Sequence, residues 1–352
     1  MRKPTLTALL AAVSLAACGA AIAADGSTTI SGKSFIDLTN INQQSDGTKT
    51  AASGTGVDVK RFYLSFTHDF DETWSVNATT DFNYTSSSGQ TQLYIKKAYL
   101  QAKIADAFVA RLGSADMPWI PFVEDLYGYR FVENTLIDRL KFGTSADWGL
   151  HAGGKVLDGR LSYAASVVNG NGYKNPTRSQ SMDFEGRVAF VPVRGLTIAA
   201  GAYSGKLGKD VAGATQTVRH TANRFDALVA YVNSDLRLGA EYFSATDWNQ
   251  VTAAPTDKSD GYSIWASYNF QANYSVFARG DQSKPKKDLS PGLKDTYYDL
   301  GLAYRPRKNI DVALAYKHDK VENGSWGTSN GTIGGVPDGK YDEIGVWAQV
   351  AF

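Results

Sequence analysis

The side chains able to do chemistry are cations and carboxylates at alternate positions, with no catalytic cluster among them. Arg61, Lys97, Lys103 and Arg111 fall on one side of a period-two count, and the segment 115–143 follows them. That segment sets Asp116, Glu124, Asp125, Glu133 and Asp138 against Arg130, Arg139 and Lys141, a balance of −2. Opposed charges across narrow water make or break no bonds. They set a field, and low-dielectric walls focus it into a filter for ions. The candidate filter is Arg61, Lys97, Lys103, Arg111, Glu124, Asp125, Arg130, Glu133, Arg139 and Lys141. The plainer alternative is that these groups pair with one another and hold the segment in place. Catalysis is not expected, because none of His68, His151, His220 and His318 sits in a recognisable catalytic motif. One cysteine, Cys18, rules out a disulfide framework and a Cys/His metal cluster, and no cofactor is expected. Asp257, Asp260 and Asp338 read as solvated loop charges. The 36 Lys+Arg against 35 Asp+Glu give +1, without the basic excess of a nucleic-acid binder.

The elements that position these groups are strands. From residue 28 onward, apolar and polar residues alternate in runs of about ten. In the last run Ile344, Val346, Ala348, Val350 and Phe352 oppose Glu343, Trp347 and Gln349. Short turns are expected at 69–72, 105–107, 157–160, 192–195, 234–235, 271–273 and 306–309. Long loops are expected near 42–56, 86–90, 115–143, 170–180, 206–222, 246–260, 282–295 and 320–340. The count predicts an all-β transmembrane antiparallel β-barrel of about 16 strands, with short periplasmic turns and long extracellular loops. Closure follows because lipid offers no partner to a strand edge. Phe70, Trp74, Phe108, Phe190, Phe270, Tyr274, Tyr304 and Phe352 cluster at the short-turn ends, as suits a membrane–water interface. A β-propeller would repeat a blade motif, and none recurs.

Residues 1–24 read as a secretory signal: Arg2 and Lys3, the apolar run from Leu6 to Ala23, and Ala21-Ile22-Ala23 for cleavage. Leu15-Ala16-Ala17-Cys18 also resembles a lipobox, which leaves lipidation of Cys18 open beside a chance cysteine. The remainder, 25–352, is expected to be one barrel domain in the bacterial outer membrane. Its last strand, ending on Phe352, resembles the signal that barrel-assembly machinery reads.

A barrel of this size encloses water. The expectation is passive diffusion of small hydrophilic solutes and ions, with a solute-specific channel (phosphate, another anion or an oligosaccharide) or a non-conducting adhesin-like barrel as alternatives. Residues 115–143 should fold into the mouth as a constriction. Met117, Trp119, Ile120, Phe122, Tyr127, Tyr129 and Phe131 carry more apolar surface than an exposed loop would. Inward Gly113, Gly149, Gly153, Ala199, Gly201, Gly301 and Ala313 leave room in the lumen. Inward Tyr63, Tyr99, Tyr203, Phe243, Trp265, Phe277, Tyr297 and Trp347 either form a stacking track for sugar rings or pack against the inserted loop. Lys60 and Lys96 fall on the lipid side of the count, so either they lie near the interface or a bulge shifts the pleat.

Val59-Lys60-Arg61-Phe62-Tyr63-Leu64, Lys97-Ala98-Tyr99-Leu100, and Val109-Ala110-Arg111-Leu112-Gly113 with Pro118 resemble the phosphate-selective porin O and P family. Phe131-Val132-Glu133-Asn134 leading to Arg139 occupies the place of that family's loop-to-strand stretch. The resemblance spans roughly 55–160 and implies a homotrimeric, sixteen-stranded porin among outer-membrane lipid and lipopolysaccharide. Its phosphate-selective members line the passage with arginine and lysine. Here carboxylates are interleaved, so a general porin of weak preference fits the residues better.

Overall fold

Strand forms wherever the alternation runs, because a period of two gives each strand one apolar and one polar face. The structure, a computed structural model, describes residues 26–85 and 90–352. The expected signal, with Cys18, lies outside them. The first strands are β1 (Ser27–Ser45), β2 (Gly54–Asp69), β3 (Trp74–Thr85), β4 (Gln90–Ala105) and β5 (Phe108–Asp116). Two short helices follow, α1 (Ile120–Tyr127) and α2 (Leu136–Arg139). Next come β6 (Ala146–Val156), β7 (Leu161–Val168), β8 (Asp183–Phe190), β9 (Leu196–Gly205), β10 (Ala222–Val232) and β11 (Leu236–Thr246). The last are β12 (Lys258–Gln271), β13 (Tyr274–Lys284), β14 (Lys294–Arg307), β15 (Ile310–Thr328) and β16 (Gly331–Ala351). A two-residue piece, Thr48–Lys49, folds back on β1 within the first loop.

Each strand pairs antiparallel with the next, and β16 returns to β1, closing a barrel of 16 strands. At the seam Gly32 and Phe352 exchange both backbone hydrogen bonds, at 2.8 and 3.0 Å. Closure leaves no open edge. Outward residues are apolar all round, among them Leu38, Leu93, Leu112, Leu150, Ile264, Leu300, Leu314 and Ile344. All eight aromatics expected at the turn end are exposed there, and Tyr274 stacks on Tyr304 with ring centroids 4.8 Å apart. One loop differs from expectation. The stretch 320–340 is no long loop: β15 runs to Thr328 and β16 begins at Gly331, so the ladder continues into a tall hairpin.

Two departures from regular register matter for the lumen. Opposite β1, the partner of Phe35 is Arg61 while that of Ile36 is Val59, so Lys60 is an extra residue in β2. Opposite β3, Thr79 meets Lys97 and Thr80 meets Ile95, so Lys96 is an extra residue in β4. A bulge lets two successive side chains share a face. Lys60 accordingly reaches Asp37 at 3.2 Å and Glu343 at 3.6 Å, both buried inside the barrel, and Lys96 is buried inside as well. Of the two readings open for these lysines, the bulge is the one present at both positions.

Candidate functional site

Residues 117–145 fold into the barrel, and their apolar side chains are its core. Met117, Trp119, Ile120, Val123, Leu136, Ile137, Leu140 and Phe142 are all essentially buried. In α1, Ile120, Val123 and Tyr127 form one buried stripe at helical spacing. Gly128 ends the helix at φ +84°, its N–H donating to the Glu124 carbonyl at 3.0 Å. The Arg237 guanidinium lies 3.2 Å from where a Cβ at Gly128 would stand.

The wall from β8 to β15 holds this segment by its backbone as well as its side chains. Arg187 donates to the Pro118 carbonyl at 2.9 Å, Arg237 to those of Asp125 and Leu126 at 3.0 and 2.9 Å, and Arg279 to that of Asn134 at 2.5 Å. Arg224 likewise caps the Phe142 carbonyl. Trp119 donates from its indole to Glu241 at 2.8 Å and from its backbone to Glu185 at 2.9 Å. Arg139 is enclosed by Asp281 (3.0 Å), Asp295 (2.5 Å) and Asp319 (3.0 Å), one from each of β13, β14 and β15. Buried polar groups survive only when paired in this way.

These contacts account for six of the eight inward aromatics and two of the small residues. Tyr203, Phe243, Trp265, Phe277, Tyr297 and Trp347 lie under the inserted segment; Tyr129 stacks on Phe277 at 4.2 Å and Phe142 packs on Phe243 at 4.8 Å. They form packing and no open track. Gly201 admits the Trp119 ring, whose Cε3 would sit 2.6 Å from an added Cβ, and Gly301 admits Phe277. At these two positions the expected free room is filled.

Open space remains along β1 to β4. A cavity of about 600 Å³ on the turn side is lined by Lys33, Phe35, Tyr63, Ser65, Lys96, Lys97, Asp116, Pro121, Glu124, Asp125 and Arg130. A second, of about 580 Å³ on the loop side, is lined by Phe35, Asp58, Lys60, Arg61, Arg130, Glu133, Asp138, Lys141 and Lys174. Phe35 and Arg130 line both. Across this space the inserted segment presents Glu124, Arg130 and Asp138 as an acid–base–acid run, with Arg130 at 2.5 Å from Glu124 and 3.2 Å from Asp138. The strand wall presents Lys96, Lys97 paired with Asp116 at 2.5 Å, and Arg61 paired with Asp81 at 3.4 Å.

Of the ten candidate filter residues, Lys97, Glu124 and Asp125 face the turn-side cavity, Arg61, Glu133 and Lys141 the loop-side cavity, and Arg130 both. The other three stand elsewhere. Arg139 is fully buried behind the segment. Lys103 pairs with Asp106 at 2.9 Å at a turn, and Arg111 bonds Gln101 at 2.8 Å and lies over Tyr99, outside both cavities. Glu133, in the inserted segment, is buried, which opposes its ionisation. Lys317 at 3.2 Å, Lys60, Ser329 at 2.7 Å and the Asn134 N–H at 2.7 Å outweigh burial and hold it well below the ordinary glutamate range.

Lys60, Lys96, Phe35, Tyr173 and Lys174 were not among the candidates. The adjacent cations Lys60-Arg61 and Lys96-Lys97 carried a signal. In a regular strand one of each pair must face lipid, so a double cation in an apolar run marks a bulge. Tyr173 gives no such signal. It comes from the loop after β7 and donates to Asp81 at 3.0 Å.

No family model matches the chain, and no curated protein does. Solved structures do. The anion-selective porin from Comamonas acidovorans superposes with a TM-score of 0.65 at 13% identity, over 93% of this chain and 100% of that one. The outer membrane channel DcaP of Acinetobacter baumannii gives 0.63 at 13%, over 94% and 98%. The in-vitro folded trimer form of OmpT, an outer membrane protein of Vibrio cholerae, gives 0.62 at 12%, over 93% and 100%. At such identities the likeness is one of fold: the chain's sixteen-stranded barrel matches the fold of these outer-membrane structures.

Proposed function

We propose that this chain is an outer-membrane porin, a passive channel for small hydrophilic solutes and ions, with no catalytic role. The observation that carries the reading is the placement of residues 117–145. They are fixed to β8–β15 and leave two polar cavities against β1–β4 that share Phe35 and Arg130. In this reading the apolar belt meets lipid, the turn end faces the periplasm and the loop end, with its tall hairpin, faces outward among lipopolysaccharide. Export runs through the signal at 1–24 and insertion through the assembly machinery at the Phe352 strand. The acid–base–acid run opposite a basic wall sets a transverse field across the passage. Assembly as a homotrimer is part of the proposal, supported by the trimer form of the similarly folded OmpT from Vibrio cholerae. The test is reconstitution in planar bilayers with KCl. Discrete ohmic steps, reduced by small nonelectrolytes and unaffected by large ones, are expected. A folded barrel that carries no current would overturn the reading.

A further inference from the structure

One cation beside the passage makes no ion pair. Lys96 is only 8% exposed. Its Nζ lies 4.6 Å from the Tyr63 ring centroid and 5.8 Å from that of Tyr173, and it donates one hydrogen bond, to the Tyr63 hydroxyl at 3.4 Å. Among the described residues no carboxylate forms an ion pair with it. Its neighbours differ: Lys97 has Asp116, Arg61 has Asp81, and Arg130 has both Glu124 and Asp138. An ammonium brings three donors, and removing it from water without partners is costly. Ring faces offset part of that cost. The rest calls for an acceptor from outside the chain, and the turn-side cavity opens onto this side chain.

We infer that Lys96 is a binding station for monovalent organic anions: it takes a carboxylate, and the apolar body rests on Phe35, Tyr63 and Pro121. This rests on the porin reading. The lining selects the valence. One ammonium without an ion pair takes one carboxylate, and a second negative charge on the ligand would meet Glu124, Asp125 and Asp116 on the same cavity. The collar selects an organic body. A compact inorganic anion would leave its water and gain one donor, whereas a ring or short chain also covers aromatic surface. The bulge in β4 is what makes the site, since a regular pleat would turn Lys96 to lipid.

The test measures the full-length channel in planar bilayers with benzoate, acetate or inorganic phosphate added to KCl. In parallel, equilibrium dialysis of the detergent-folded barrel with labelled benzoate reads binding without current. Benzoate is expected to bind and to block, more strongly than acetate or phosphate. Lys96→Gln should weaken both readouts by roughly tenfold, as loss of one charge-assisted contact implies, while Lys96→Arg stays within a few-fold of the parent. Cooperative thermal unfolding of the detergent-folded variants at the parent's midpoint confirms folding. Benzoate block that survives Lys96→Gln, or block by phosphate equal to that by benzoate, would overturn the assignment. Lys96-dependent binding by a barrel that carries no current would uphold the site and remove the porin reading.

Discussion

The Arg139 guanidinium lies 2.5 Å from Asp295 Oδ1, the central contact of a cluster that ties the inserted segment to three successive strands. Asp281 and Asp319 complete it, and all four side chains are buried. Such a cluster is a poor source of net stability, yet it cannot lose its only bridging cation cheaply. Arg139→Ala is expected to destabilise the barrel by about 3–5 kcal/mol and to release the segment. The measurements are thermal unfolding in detergent and single-channel recordings, where larger and noisier conductance steps are expected.

Gly201 faces Trp119 so closely that one methyl is too much. Gly201→Ala should cost about 1–3 kcal/mol through overpacking and change the tryptophan emission spectrum. Thermal unfolding with emission scans checks this. An unchanged midpoint and spectrum would show that Trp119 does not occupy that notch.

Ion selectivity should follow the pair at the edge of β4. Lys97→Ala leaves Asp116 unbalanced beside the turn-side cavity, and Asp116→Asn does the reverse for Lys97. Reversal potentials under a KCl gradient should move toward cations in the first variant and toward anions in the second. Identical potentials in both would remove the transverse field from the account.

Acid should act on Glu133 only at low pH. Its ionised form is favoured in the folded barrel by Lys317, Lys60 and Ser329 over the penalty of burial. A carboxyl held below its unfolded value contributes stability that is complete above that value, ~4.3 for glutamate, and is lost as pH falls through the lowered one. The midpoint difference between parent and Glu133→Gln should be constant above pH 5 and shrink only in stronger acid. Thermal unfolding from pH 2 to pH 7 measures it. A difference that closes near neutral pH would contradict the pairing.

Most of the fold was legible because a barrel writes a period of two into every strand and turn chemistry between strands. The inward fold of the third long loop was legible in its apolar residues from Met117 to Phe131. The site was less so. Pattern reading gives the side of a strand a residue faces, and that fails at a bulge, which left the direction of Lys60 and Lys96 open. Nor does it give depth or partner. Arg139 has the same composition signal as Arg130, yet one is enclosed by three aspartates on distant strands and the other lines both cavities. Nor does the pattern show that Arg187, Arg224, Arg237 and Arg279, on β8 to β13, bond carbonyls of the inserted segment.

The central claim is that water passes along β1–β4 and is excluded from the wall behind residues 117–145. Single cysteines with a charged thiol reagent test it most directly, since the sole native cysteine, Cys18, lies in the expected signal. Ser65 lines the turn-side cavity, and Ser263 on β12 is buried. The reagent should reduce the current through Ser65→Cys and leave Ser263→Cys unchanged. Loss of current in Ser263→Cys with Ser65→Cys unaffected would put the passage on the other wall and contradict the account.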